Sequence, residues 1–149
     1  MRDAIDQKLI DELETDGRAT YADLASKLGI GVSTVSRRID RLRKDNIIKV
    51  VAIPNLEKLG YRAHAIISLN VELKKVDKVC AMLNEQPNVQ FVAELYGRFD
   101  VIMFAHFSTH EELHEFIKNE LSTIDGVTNI ETSFIVEMKK RYGGPFPKD

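Results

Sequence analysis

The sequence predicts an α+β fold in two parts, in which three helices precede a β-α-β-β-α-β segment. In residues 1–53, apolar side chains recur at intervals of three and four, the spacing of helices that are buried on one side. From Tyr61 onward, apolar and polar residues alternate as they do in strands, and two helical stretches interrupt that alternation. We therefore expect a helical domain over residues 1–53, a hinge over residues 54–60 and a mixed domain over residues 61–149.

The composition is that of a soluble globular protein, with 44% hydrophobic and 30% charged residues in a chain of 149. The charged, amphipathic N-terminus is unlike a secretory signal, and no apolar run approaches the roughly 20 residues that span a bilayer. The single cysteine, Cys80, excludes an intramolecular disulfide and fits a reducing compartment. These features predict a cytoplasmic protein with no membrane partner.

Two helices are predicted before residue 30. Asp3 can cap the first helix, which ends near Gly17. Thr20, with Asp23 three residues later, can cap the second, and Gly29 suits a left-handed helix end. The residues expected to face inward are Ile5, Leu9, Ile10, Leu13, Leu24, Ala25 and Leu28.

A third helix follows the short break at Ile30 and Gly31, and it is apolar on one side only. Its inward residues are expected to be Val32, Val35, Ile39 and Leu42. Two helices joined by a short turn, the second basic and polar on its outer side, form a helix-turn-helix, whose second helix enters the major groove of DNA. Residues 32–49 hold six basic and two acidic residues, a net charge of +4, whereas the whole chain carries −2. Positive charge is thus concentrated where phosphate contacts are needed.

Eight residues in this stretch are candidates for contact with double-stranded operator DNA. They are Ser33, Thr34, Ser36, Arg37, Arg38, Arg41, Lys44 and Lys49. Near the N-terminus of the helix, where side chains reach base edges, lie Ser33, Thr34, Ser36 and Arg37. The cations better suited to phosphates are Arg41, Arg43, Lys44 and Lys49. Arg38 lies nearer the buried side, so an internal ion pair is an alternative for it.

The stretch after the third helix is rich in β-branched residues, and a strand is predicted over residues 47–53. Asp45 and Asn46 close the helix before it, since both favour turns. Such a strand forms a wing of the helix-turn-helix or leads out to the second domain. Pro54 interrupts it, and residues 56–60 are predicted to form a short helical turn.

The second domain is predicted to contain four strands and two helices. Strands are expected over residues 63–73, 89–96, 100–107 and 127–138. One helix is expected over residues 75–86, and Thr109 with Glu112 forms a capping box that opens another. The order β-α-β-β-α-β is that of a ferredoxin-like split βαβ fold.

One strand of this domain is apolar on both sides. Val101, Met103, Ala105 and Phe107 alternate with Ile102, Phe104 and His106, the last being the only polar residue. Two helices cover only one face of a four-stranded sheet. We therefore expect the other face to pair with a second copy across a two-fold axis, which would also present two DNA-reading helices.

These residues resemble the Lrp/AsnC family of transcriptional regulators over nearly the whole chain. The run IDQKLIDELETDGR is similar to the family's opening pattern, and LASKLGIGVSTVSRRIDRLRKDNIIK is similar to its helix-turn-helix. LEKLGY resembles the family's hinge, and YGRFDVIMFAHF resembles the G-x-x-D motif between two strands of its effector domain. Gly31 departs from the family, which usually has Ser at the start of the recognition helix.

The resemblance implies an α+β chain in which a (winged) helix-turn-helix precedes a βαββαβ effector and oligomerisation domain of the RAM type. It implies a homodimer that assembles into a tetramer or octamer, with an amino acid or similar small effector held between dimers. The effector residues it implies are Tyr96, Gly97, Arg98, Asp100, Thr132 and Ser133. Physically, glycine permits close approach, free N–H groups hold a carboxylate and Asp100 can accept from an ammonium.

A different chemistry is suggested by HEELH, residues 110–114, which fits the H-E-x-x-H pattern of zinc hydrolases. His110 and His114 are four apart on a helix and could share a metal, with Glu111 as base. Against this, packing onto a sheet already accounts for the helix, and no later histidine supplies a third ligand. We therefore expect no enzyme, no cofactor and no metal.

The sequence thus predicts a sequence-specific DNA-binding regulator whose assembly responds to an amino acid. The alternative within the same fold is an architectural protein that wraps DNA without a ligand response. The zinc hydrolase is the third and weakest alternative.

Overall fold

A computed structural model describes residues 3–139, which form two compact units divided between Ile53 and Pro54. The first unit contains the helices α1 (Ala4–Thr15), α2 (Tyr21–Leu28) and α3 (Val32–Lys44). Residues 140–149, the end of the predicted second domain, lie outside the described residues. In the described part of the chain, no helix is long and apolar enough to cross a membrane.

The ends of α1 and α2 lie where the local sequence predicts them. Asp3 caps α1 in a complete capping box, in which its side chain accepts from the backbone of Asp6 and the Asp6 side chain accepts from Asp3 N. Thr20 caps α2 through Asp23 N, and Gly29 ends it with a left-handed backbone, φ 64°. Gly31 precedes α3 and provides no side-chain cap, since the side chain of glycine has no oxygen to accept a hydrogen bond.

The three helices enclose a small core that each contributes to, and its fully buried members are Leu9, Leu24, Ala25, Val35 and Ile39. The prediction that α3 buries Val35, Ile39 and Leu42 is confirmed. The same prediction is wrong for Val32, which is 49% exposed. Val32 is the first residue of α3.

A buried charge cluster ties α1 to α3. The Asp6 side chain is only 1% exposed, and its two oxygens accept from Arg38 Nη1 at 2.8 Å and from Arg41 Nη2 at 2.5 Å. Arg38 also binds Asp3 at 2.7 Å. The pKa of Asp3 is lowered, chiefly by the hydrogen bond from Asp6 N and then by Arg38. The alternative raised for Arg38, an internal ion pair, is the one that the structure shows.

The strand predicted over residues 47–53 is wrong. These residues form no strand, and Val50, Val51 and Ile53 are exposed. Branching at Cβ favours an extended backbone, but a strand also needs a partner for its backbone groups. Within residues 3–53 there is no other strand to supply one.

The second unit has the predicted β-α-β-β-α-β order. Its elements are β1 (Ala63–Val71), α4 (Val76–Asn84), β2 (Val89–Glu94), β3 (Val101–Phe107), α5 (His110–Asn119) and β4 (Val127–Phe134). The strands form one antiparallel sheet in the order β2-β3-β1-β4, which confirms the ferredoxin-like fold. Short 3-10 turns follow β1 and α5, at Leu73–Lys75 and Leu121–Thr123.

Several predicted element ends are corrected by the structure. Leu73, expected on the buried face of β1, is 83% exposed, because β1 is bulged at Asn70/Val71 and the chain then enters a 3-10 turn. Strand β2 ends at Glu94 instead of residue 96, and β4 ends at Phe134 instead of residue 138. The connection between β2 and β3 is therefore six residues long, Leu95–Asp100, and is called the β2–β3 loop below.

Both helices pack on the same face of the sheet. Every second residue of the two central strands faces them, and together with α4 and α5 these residues make the larger core: Ala63, Ala65, Ile67, Leu69, Val79, Leu83, Val101, Met103, Ala105, Phe107, Leu113 and Phe116. Gly126, just before β4, has φ 102° and lies against the Lys75 side chain, where an added Cβ would come within 2.6 Å of Lys75 Cδ.

The other side of the sheet, called the open face below, has no helix of this unit against it. Phe104 lies at its centre, paired with Ile66 on β1 and Phe91 on β2, and Phe91 is 52% exposed. His64 and His106 form a directly opposed cross-strand pair on the same side. Burial, and secondarily the neighbouring His64, lowers the pKa of His106. The expected two-sided apolar character of β3 is thus present.

We predict that Asp6→Asn destabilises the first unit by about 2–4 kcal/mol, because the buried arginine contacts lose their countercharge while the side-chain shape is kept. Chemical denaturation of the full chain measures this. Glu14→Gln, an exposed change on the same helix, is the control and should lie within about 0.5 kcal/mol of the parent. Equal stability of the two variants would contradict a role for Asp6 as anchor.

Candidate DNA-binding and effector-binding surfaces

The outer side of α3 is polar and basic, as the sequence predicts. Ser33, Arg37 and Lys44 are exposed, and Thr34 and Ser36 are partly so. The first turn of α3 contains no acidic residue, and its last turn contains Arg41, Arg43 and Lys44. A helix with free N–H groups at its start and no carboxylate beside them is electrostatically suited to a phosphate backbone.

The cations of this stretch fall into two groups. Within residues 3–139, the side chains of Arg37, Arg43, Lys44 and Lys49 make no hydrogen bond or ion pair. Arg38 and Arg41 are instead held by Asp6, and the Arg38 side chain is only 19% exposed whereas that of Arg41 is 50% exposed. The structure therefore places Arg38 inside the unit and Arg41 at its edge, with the free cations further out.

Sequence reasoning did not identify Asp6 as the residue that fixes these two arginines. One signal was available, because Asp6 lies beside Ile5 and one helical turn before Leu9 and Ile10 on the inward side of α1. A carboxylate on an apolar helix face requires a cation from elsewhere in the fold. Arg38, which lies nearer the buried side of α3, supplies that cation.

The β2–β3 loop is held closed by Asp100. Its backbone N–H donates to Leu69 O at 2.9 Å and its carbonyl accepts from Leu95 N at 2.8 Å. Its Oδ2 accepts from Val71 N at 2.9 Å and from Asn70 Nδ2 at 3.4 Å. Asp100 was predicted to accept from an effector ammonium, but the structure gives its Oδ2 a structural role that fixes the loop to the end of β1.

The tip of the loop presents unused donors. Within the described residues, the backbone N–H groups of residues 96–99 donate to no acceptor. Tyr96 is fully exposed, and a Cβ added at Gly97 would meet no atom within 4 Å. Successive free N–H groups beside a glycine form a concavity suited to a carboxylate.

Two residues outside the predicted set complete this surface. Asn70 Nδ2 donates to Arg98 O at 2.8 Å, and Asn129 Nδ2 donates to Asn70 Oδ1 at 3.3 Å, so Asn70 joins the loop to β4. Arg98 lies over the Phe99 ring, 4.9 Å from its centroid, and donates to Glu131 Oε2 at 2.9 Å. Strand register, which brings Asn70 and Glu131 to the loop, cannot be deduced from one sequence.

Thr132 and Ser133, the predicted residues on β4, point to opposite sides of the sheet. Thr132 lies opposite Ile67, whose side chain is in the core, whereas Ser133 lies opposite Ile66 on the open face. Only Ser133 shares its side with Glu131 and Arg98. The structure thus does not bring Thr132 and Ser133 to one surface.

The H-E-x-x-H pattern occupies the first half of α5. His110 packs against the Phe134 ring at 5.3 Å, and Glu111 and His114 are exposed. Among residues 3–139 there is no group of three or more His, Cys, Asp or Glu side chains that could hold a metal ion. Partial burial raises the pKa of Cys80, so this thiol is a poorer nucleophile at neutral pH than a free cysteine.

Comparison with known proteins agrees with this architecture. Residues 64–145 match the Lrp/AsnC ligand binding domain, and residues 2–49 match a winged helix-turn-helix DNA-binding domain. The chain is 35% identical over 141 residues to the HTH-type transcriptional regulator PF1231 of Pyrococcus furiosus, covering 94% of this chain and 95% of that one. It is 32% identical over 139 residues to the HTH-type transcriptional regulator FL11 of the same organism, covering 93% and 91%.

The fold is also similar to the crystal structure of a Neisseria meningitidis transcriptional regulator, NMB0573, in complex with L-Met. The TM-score is 0.89 at 22% identity, and the match covers 97% of this chain and 96% of that one. The helix-turn-helix, the sheet order and the matched ligand-binding domain lead to one conclusion. The chain belongs to the Lrp/AsnC family of transcriptional regulators.

Proposed function

We propose that this protein binds operator DNA sequence-specifically through α3 and that an amino acid bound at the β2–β3 loop regulates this binding. The observation that carries the proposal is the arrangement of unused donors in both units. One set of free cations lines the outer side of α3, and one set of free backbone N–H groups forms the loop tip. We propose no enzymatic role.

For DNA binding, the exposed N-terminal half of α3 is the base-reading part. Ser33 and Arg37 project outward there, with Thr34 and Ser36 partly exposed beside them. Arginine is the side chain that most often reads guanine in the major groove, and Arg37 has no partner within residues 3–139 to compete for it. Lys44 and Lys49, with Arg41 at the edge, are proposed to contact phosphates.

For the effector, the loop tip offers N–H donors for a carboxylate, and Arg98 lies beside them. The two groups that donate to Asp100 Oδ2, Val71 N and Asn70 Nδ2, are both neutral amides. Donors for a carboxylate next to carboxylates for an ammonium fit a free amino acid. The L-Met complex of the Neisseria meningitidis regulator supports the same class of ligand in a protein of this fold.

For assembly, the apolar open face is proposed to pair with a second copy. Phe104, Ile66 and Phe91 form a patch that no helix of this unit covers, and a patch of this kind in a soluble protein marks an interaction site. A two-fold pair would present two copies of α3 to two half-sites about one helical turn apart. Dimers are further proposed to associate into a tetramer or octamer.

The mechanism that follows is a population shift. An amino acid that binds one assembly better than another shifts the protein toward that assembly by the ratio of the two affinities. The assembly in turn fixes the spacing of the α3 helices. An architectural protein that wraps DNA is the second candidate, favoured by cations that bind phosphates whatever the sequence.

We predict that Arg37→Ala weakens binding to the specific operator by about 1–3 kcal/mol and relaxes its base preference, with little effect on random DNA. Lys49→Ala is the matched variant. It should weaken binding to both DNAs alike and reduce the slope of log K against log salt by about 0.9. Fluorescence anisotropy over a salt series measures both. Equal losses on the two DNAs for Arg37→Ala would favour the architectural candidate.

We predict that one class among the twenty amino acids raises the thermal unfolding temperature of the parent chain, and that Gly97→Ala weakens this effect. The added methyl meets no atom of the protomer, so unliganded stability should be unchanged while access to the loop N–H groups is obstructed. Ser122→Ala, an exposed change beyond α5, serves as the control. No shift with any amino acid would contradict the effector proposal.

A further inference from the structure

Glu131 brings a second carboxylate to the β2–β3 loop. It lies on β4 opposite Ser68, and its side chain is on the open face with Asn129 and Ser133. Its Oε2 accepts from Arg98 Nη2 at 2.9 Å. Arg98 is the only basic residue in the segment LYGRFD that makes the loop. Glu131 thus forms an ion pair with the one basic side chain of the loop.

This ion pair does not hold the loop in place. The side chains of Arg98 and Glu131 are 76% and 46% exposed, and an ion pair so open to water contributes little to stability. The bonds of Asp100 to Leu69 and Val71 close the loop without it. The pair is therefore exchangeable, and its main effect is on the charge that a ligand meets.

The charges at the loop add up to a net negative site. Arg98 supplies one positive charge, and Asp100 and Glu131 supply two negative charges. A neutral amino acid is a zwitterion and meets no net repulsion there. An acidic amino acid brings a further carboxylate, which must either displace Glu131 from Arg98 or lie near it unpaired. Either route disfavours the acidic ligand.

We propose that Glu131 is a specificity-determining residue that excludes amino acids with acidic side chains from the loop site. The inference rests on the proposed function, because it takes the loop to be where the effector binds. It assigns the effector to the neutral or basic amino acids. Removing the charge of Glu131 alone should admit the acidic ones.

The test is Glu131→Gln, which keeps the side-chain shape and an acceptor for Arg98 but removes the charge. Calorimetric titration of parent and variant should use aspartate against asparagine and glutamate against glutamine, since each pair differs by little except charge. In the parent the amides should bind better than the acids. In the variant the acid-to-amide affinity ratio should rise about three- to tenfold, the effect of removing one like charge at about 5 Å in a highly screened site.

Glu111→Gln, an exposed carboxylate on α5, is the matched control and should leave the ratio unchanged. An unchanged acid-to-amide ratio in Glu131→Gln, or a parent that prefers the acids, overturns this inference. The effector proposal stands in either case, provided that some amino acid binds. Failure of all twenty amino acids to bind parent and variant overturns both.

Discussion

A four-stranded sheet with both of its helices on one side leaves an apolar face that the helices of its own unit do not cover. Phe104 and Ile66 lie at the centre of that face, on the two middle strands. The hydrophobic effect favours covering such a surface, and the covering partner we propose is a second copy. The proposed dimer, and with it the proposed presentation of two α3 helices, depends on this one exposed face.

The first unit is organised around a different constraint, the buried carboxylate of Asp6. Burying a charge is costly unless it is paired, and here α3 supplies both partners, Arg38 and Arg41. The side chains that fix α3 against α1 therefore belong to the same helix that carries the proposed DNA contacts. Two arginines of a basic helix support its position, which leaves the outer cations for DNA.

The ends of the helices could be predicted from the sequence, because they are set by capping residues next to them in the chain. Thr20 caps the start of α2, and Gly29 ends it with a left-handed backbone. Thr109 caps the start of α5. Predictions failed where the outcome depends on distant partners. The extended stretch around Val50 has no strand to pair with in its unit, and the bulge at Val71 turns Leu73 outward.

The same distinction applies to the candidate sites. The outward face of α3 and the position of the loop at Gly97 followed from helical periodicity and from family resemblance. Two features required the register of β4 against β1: the opposite orientation of Thr132 and Ser133, and the contact between Arg98 and Glu131. Register depends on pairing across the sheet, and the alternation of residues along one strand does not show which residues of its neighbour lie opposite them.

The effect of Phe104→Lys on both assembly and operator binding tests directly whether the open face pairs two copies of the chain. A lysine can keep its stem on the sheet and its charge in water, so the protomer should stay folded by circular dichroism. We predict monomers in sedimentation equilibrium and operator affinity lower by about a hundredfold or more, because the two α3 helices no longer bind as one unit. A folded monomer that binds the operator as tightly as the parent would contradict the proposal that two paired α3 helices bind as one unit. A variant that still dimerises would contradict pairing through the open face.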